Sequence, residues 1–139
     1  MTSCLFHDTD GALRDRRLFE LVEQAYNQAE KVVIFAATGE RAAAIDRLLW
    51  IHKQESFIPH EVFRSADPES SLTVAIVAQE LNPIDAGILI ADGHCGIEFA
   101  LSFNTIHEFV DRSSPQMQDA CRDRFRAYRS REIFPQHLK

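Results

Sequence analysis

Two carboxylates one residue apart, in Asp8-Thr9-Asp10-Gly11-Ala12-Leu13, follow directly on the apolar run Cys4 to His7. On a strand-end loop such a pair can hold Mg²⁺ while one carboxylate attacks a phosphoryl group. Asp-x-Asp-Gly is equally the chemistry of an ordinary turn or helix start. The other reactive side chains are scattered: Cys4 with His7, and His94 with Cys95, lack a second pair at zinc spacing, so no metal is expected. Ala37-Thr38-Gly39-Glu40 lacks the Lys and the glycines that would cradle phosphates, so neither nucleotide nor other cofactor is expected. No Gly-x-Ser-x-Gly elbow nominates a nucleophile.

Residues suited to binding, rather than to bond making, stand out more clearly. In Trp50-Ile-His-Lys-Gln-Glu-Ser-Phe57-Ile-Pro-His60, two large aromatics surround a polar connection stopped by proline, where a loop would normally be solvated. Aromatics at such a junction either plug the core or form a docking surface. Towards the C-terminus, Met117, Cys121, Phe125 (or its neighbour Arg124) and Tyr128 fall on one helical stripe flanked by Arg122, Arg126 and Arg129. An apolar floor with a guanidinium rim suits a peptide ending in an aromatic residue and a free carboxylate: the ring packs on the stripe and Arg grips the carboxylate. One of Phe125 and Tyr128 is expected to seat this helix on the core, leaving the other partly exposed.

The elements that must position these residues alternate between strand and helix. The run Cys4 to His7 reads as a strand, followed by a helix with Leu18, Leu21, Val22, Ala25 and Ala29 at helical spacing. Lys31 to Phe35 is a strand buried on both faces, and Thr38 caps a helix carrying Ala42, Ile45, Leu48 and Leu49. Thr73 to Val77 and Ala86 to Ala91 are further strands. Asn104 to Val110 alternates more than it runs, which predicts a shorter strand near an edge. Ser114-Pro115 is the N-cap and N1 pair of a helix reaching about Arg129. The pattern predicts one three-layer α/β/α domain over residues 1–139, with a mainly parallel, Rossmann-like sheet; it does not fix strand order.

Composition narrows the class. The 139 residues are 45% hydrophobic, enough for one core. Three cysteines at wide spacing fit unpaired thiols in a reducing compartment. The N-terminus lacks the features of a signal peptide, and no apolar run is long enough to span a bilayer, so a soluble cytoplasmic protein without membrane contact is expected. The net charge of −6 is unevenly spread: positions 112–139 hold seven basic and three acidic residues, and the remaining eight basic and eighteen acidic residues give the body −10. Such a body repels a long duplex, while its basic patch suits a short acidic peptide.

Two resemblances follow. Asp8-Thr9-Asp10-Gly11 resembles the opening motif of the haloacid-dehalogenase phosphatases, which implies Asp8 as nucleophile, Asp10 as general acid and Thr38 as phosphate ligand. That superfamily needs a later acidic pair, and only Asp92-Gly93 and then Glu98 are available here. More specific, and running nearly end to end, is the resemblance carried by Leu49-Trp50, by Glu55-Ser56-Phe57-Ile58-Pro59-His60 and by Arg122-Asp-Arg-Phe125-Arg-Ala-Tyr128-Arg129. These blocks resemble the chi subunits of the bacterial DNA polymerase III clamp-loader assembly. The resemblance implies a non-catalytic adaptor that pairs with the psi subunit and binds the acidic C-terminal tail of single-stranded DNA-binding protein, reaching DNA only indirectly. It places the psi contacts on Trp50 and Phe57, a surface with which some members pair with a repair helicase instead. It places the tail contacts on Gln118, Arg122 and Phe125, with Arg122 gripping the carboxylate. Gln118 stands where a Lys is expected and Phe125 where a Tyr is expected, which implies a weakened tail site.

Overall fold

Two four-residue runs whose every residue is buried, Val32–Phe35 and Val74–Val77, lie side by side inside one parallel sheet. The computed structural model describes residues 2–9, 11–51 and 58–138, apart from the side chain of Ala12. Asp10 and Phe57 therefore lie outside the described residues. In chain order the elements are β1 (Ser3–His7), α1 (Gly11–Asn27), β2 (Val32–Phe35), α2 (Gly39–Ile51), β3 (Glu61–Val62), β4 (Val74–Val77), β5 (Ile88–Ala91), α3 (Ile97–Ala100), β6 (Thr105–Phe109), α4 (Pro115–Ser130) and β7 (Gln136–Leu138). The strand order is β3-β4-β2-β5-β6-β1-β7, and each neighbouring pair is parallel. This is the Rossmann-like α/β sheet that the alternation of elements predicts.

Successive side chains of a strand point to opposite faces, so each central strand feeds two cores. Val32, Ile34, Val74, Ile76 and Ile90 pack with Leu18, Phe19 and Val22 of α1 and with Ala42, Ile45 and Leu49 of α2. Cys4, Phe6, Val33, Phe35, Leu89 and Ile106 pack on the other face with Ala100 of α3 and Tyr128 of α4. Helices α1 and α2 thus cover one face, and α3 and α4 the other. The strand ends approach closely: a Cβ on Gly93 would stand 2.7 Å from Ala37, so no larger residue fits there without movement.

The helix starts behave as predicted. The Arg41 amide donates to Thr38 Oγ1 at 3.0 Å ahead of α2, and the Met117 amide donates to Ser114 Oγ at 3.2 Å, with Pro115 in the first turn of α4. Two expectations are corrected. Ala29 is not on the stripe of α1, which ends at Asn27; it turns the chain with a φ of 56° to lead into β2. The segment Thr105–Phe109 is neither a short strand nor an edge strand: β6 is five residues long and lies between β5 and β1, two strands in from the β7 edge. Its alternating polar residues suggest solvent, but the fold satisfies them internally. Glu108 is bound by Arg124, and His107 meets His7 at 2.9 Å. The short strands β3 and β7 and the single turn α3 have no counterpart in the sequence reading.

Candidate functional site

The predicted tail residues Gln118, Arg122 and Phe125 come together. They line a cavity of about 140 Å³ with Phe6, Val110, Arg112, Cys121 and His137. Phe6 of β1 forms the floor, its ring edge-on to Phe125 with centroids 5.2 Å apart. Arg112 follows β6, and His137 lies beside Phe6 in the register of β7 on β1. The rim is polar: Arg122 is 67% exposed, and its ion partner Asp119, one turn earlier, stands 3.6 Å away. An apolar hollow large enough for one ring, edged by guanidinium groups, fits an aromatic residue that carries a carboxylate. As expected, one aromatic of the stripe seats the helix: Tyr128 is fully buried, whereas Phe125 is only half-buried at the cavity.

A buried ionic network sets α4 at this depth. Arg124 Nε donates to Glu108 Oε1 at 3.0 Å, Arg124 Nη1 to the Cys95 carbonyl at 2.5 Å, and Tyr128 Oη to Glu108 Oε2 at 2.6 Å. Burial disfavours the ionised tyrosine and the Glu108 carboxylate adds to this, so the Tyr128 hydroxyl is pushed far up and remains a donor. Burial works against the charge of Arg124, yet the Glu108 carboxylate outweighs it and keeps the guanidinium protonated. The consequence is that nearby arginines differ in setting: Arg124 is a buried structural pin, and Arg122 stands exposed at the rim with a loose partner in Asp119.

The second predicted surface lies across the sheet. Trp50, in the last turn of α2, is 46% exposed and followed by the still more exposed Ile51. Its ring leans on His60, with centroids 4.5 Å apart. The buried His60 ring has one nitrogen 2.7 Å from the Ile58 carbonyl and the other 3.1 Å from the Asp46 carbonyl, which ties the end of α2 to the returning chain. The indole is thus supported by His60 on one side and remains half exposed. Phe57, the other half of this predicted surface, lies outside the described residues.

Residues 1–136 match the family model described as DNA polymerase III chi subunit, HolC. The chain belongs to the DNA polymerase III chi subunit family. Among its relatives, the DNA polymerase III subunit chi of Escherichia coli (strain K12) is 26% identical over 111 residues, 79% of this chain and 74% of that one. The DNA polymerase III subunit chi of Pseudomonas aeruginosa is 29% identical over 109 residues, 78% of this chain and 74% of that one. The chain is thus an accessory subunit of a replication polymerase by family.

In this chi-family chain the described acidic residues of the phosphatase resemblance, Asp8, Asp92 and Glu98, are already paired with cations. Both carboxylate oxygens of Asp8 accept from Arg112, and His137 Nε2 lies 2.8 Å from Oδ2. These contacts, that with Arg112 foremost, hold the Asp8 carboxyl at about 2. Buried Asp92 accepts from Arg41 Nε at 2.8 Å and Nη2 at 3.0 Å, and also from Arg14. Glu98 pairs with Arg131 at 2.6 Å. Thr38 serves as a cap, and Asp10 lies outside the described residues. With those carboxylates neutralised one by one, the phosphatase reading is not favoured. Among the described residues no group of three His, Cys, Asp or Glu side chains could hold a metal ion, and no helix is long and apolar enough to cross a membrane.

The three cysteines are buried and unpaired. Burial pushes the thiol of Cys4 up to about 12 and that of Cys95 to about 11, so neither is a nucleophile near neutrality. Sequence reasoning missed Phe6, Val110, Arg112 and His137 at the cavity. Arg112 was visible only as one charge of the basic C-terminal stretch, and nothing in the sequence paired β7 with β1.

Proposed function

We propose that this chain is a non-catalytic replication adaptor that binds the acidic C-terminal tail of single-stranded DNA-binding protein in the α4 cavity and pairs with the psi subunit through the Trp50 end of α2. The convergence of Gln118, Arg122 and Phe125 on one cavity supports the tail site most directly. In this reading Phe125 and Phe6 receive the tail's terminal ring, Arg122 grips its carboxylate, and Trp50 with Phe57 forms the psi contact. Because α2 and α4 cover opposite faces of the sheet, one chain could hold both partners at once. A helicase that used Trp50 would then compete with psi but not with the tail. DNA is reached through the tail's owner, consistent with an acidic body that repels phosphate.

The test is a calorimetric titration of the native chain and of Arg122→Ala with the single-stranded DNA-binding protein's C-terminal peptide, at low and moderate salt. Saturable, salt-weakened binding that drops about tenfold in Arg122→Ala is expected. No heat at low salt would remove the tail site and leave pairing through Trp50 as the remaining role.

A further inference from the structure

We propose that Arg112 is a second, pre-set carboxylate clamp of the α4 cavity, meeting the same terminal carboxylate as Arg122 from the opposite wall; this rests on the tail-binding reading. Arg112 and Arg122 both line a cavity of about 140 Å³, one from the loop behind β6 and the other from α4. A hollow that admits a single ring brings in only the carboxylate attached to the same residue. Two arginines that line the same small cavity therefore stand within reach of one anion.

The two arginines are held differently. Arg112 Nε donates to Asp8 Oδ1 at 3.1 Å and Nη2 to Asp8 Oδ2 at 2.5 Å. Those bonds use two of the five guanidinium N–H groups and leave three for a ligand. Asp8 itself is only 12% exposed, directly follows β1, and is also met by His137 of β7. Arg112 is thus tied by its head to the sheet while remaining 55% exposed. Arg122, by contrast, has only a loose partner one turn away on an exposed helix face. Fixing a long side chain before binding removes part of the ordering entropy that a free arginine would lose on contact. Arg112, its charge partly offset by Asp8, also adds guanidinium donors to a cavity where Gln118 offers only an amide. Asp8, which resembles a phosphatase nucleophile in sequence, becomes a positioning residue.

The experiment crosses two acidic peptides with three proteins. The peptides share one sequence ending in phenylalanine, one with a free terminal carboxylate and the other amidated; the proteins are the native chain, Arg112→Gln and Arg112→Lys. Native protein is expected to prefer the free acid. Arg112→Gln is expected to weaken free-acid binding about tenfold while changing amide binding less than about twofold, and Arg112→Lys, which keeps the charge but loses the fork, to weaken the free acid several-fold. A native-sized preference for the acid in Arg112→Gln overturns the clamp and leaves the tail site standing. A native-sized preference in Arg112→Lys overturns the role of the fixed fork. Failure of the native chain to bind either peptide overturns the tail reading, and the proposal with it. Thermal melts of each variant separate lost binding from lost folding; if Arg112→Gln does not fold, Arg112→Lys carries the test.

Discussion

The two candidate partner surfaces of this chi-family chain are built in opposite ways. The α4 cavity is assembled from three strands or their loops and one helix, and α4 is pinned to β6 by Arg124, Glu108 and Tyr128. The Trp50 surface projects from the last turn of one helix, supported by His60. The first presents charge around a small apolar floor, and the second presents a large, half-exposed aromatic ring. Partner binding at the cavity should therefore be selective for an anion and weaken with salt, whereas binding at Trp50 should follow buried area and respond little to salt. The buried groups beneath a surface can thus set how well it is oriented, while the exposed groups set what it recognises.

Removing the pin is the strongest way to break the contrast. Arg124→Ala leaves Glu108 buried and unpaired, so a stability loss of about 3–5 kcal/mol is expected in denaturant unfolding. Tail affinity should fall with it. If Arg124→Ala unfolded at the native denaturant concentration, Arg124 would not be the anchor described. On the other face, acid should loosen the contact of β1 and β6 with α1. Arg17 can only donate, at 3.1 Å to His7 Nδ1, so His7 carries its proton on Nε2 and donates to His107 Nδ1. Burial, with Arg17 beside His7 and His7 beside His107, lowers both imidazoles from 6.5 to about 4. Between pH 6.5 and 4 the unfolded chain binds protons that the folded chain excludes. Stability should be full above that window, fall through it and level off below, by on the order of 3 kcal/mol for one imidazole. His107→Gln should flatten the decline in urea midpoints measured from pH 7 to 4; an unchanged slope would contradict the coupling.

Smaller effects sharpen the comparison between the surfaces themselves. Trp50→Ala should weaken psi binding by about 2 kcal/mol or more at low and high salt alike, with little change in melting temperature because the ring is half exposed. A strong salt dependence of that loss would make the contact electrostatic and dissolve the contrast. Gln118→Lys should strengthen tail binding by about 1 kcal/mol or less, and only at low salt. Equal affinity of the variant and the native chain at low salt would mean that position 118 does not face the tail.

Much of the fold was legible because buried strands and amphipathic helices leave periodic marks. The runs Val32–Phe35, Val74–Val77 and Ile88–Ala91 are apolar because they are covered on both faces, and Ser114-Pro115 announced a helix by capping chemistry. The Thr105–Phe109 strand was misplaced because alternation marks a polar residue but not who satisfies it; His107 and Glu108 find partners in β1 and α4 rather than in water. Local order and the stripe Met117, Cys121, Phe125 and Tyr128 flanked by Arg122 were written in the sequence, since neighbours on a helix are fixed by its 3.6-residue turn, whereas Gln118 was singled out only by the family resemblance. What only the tertiary structure decided was long-range: which of Arg122 and Arg124 faces inward, that Asp8 meets Arg112 and His137, and that β7 closes the cavity beside β1. Those contacts join residues some sixteen to more than a hundred and twenty positions apart, and strand order, which no local propensity encodes, brings them together.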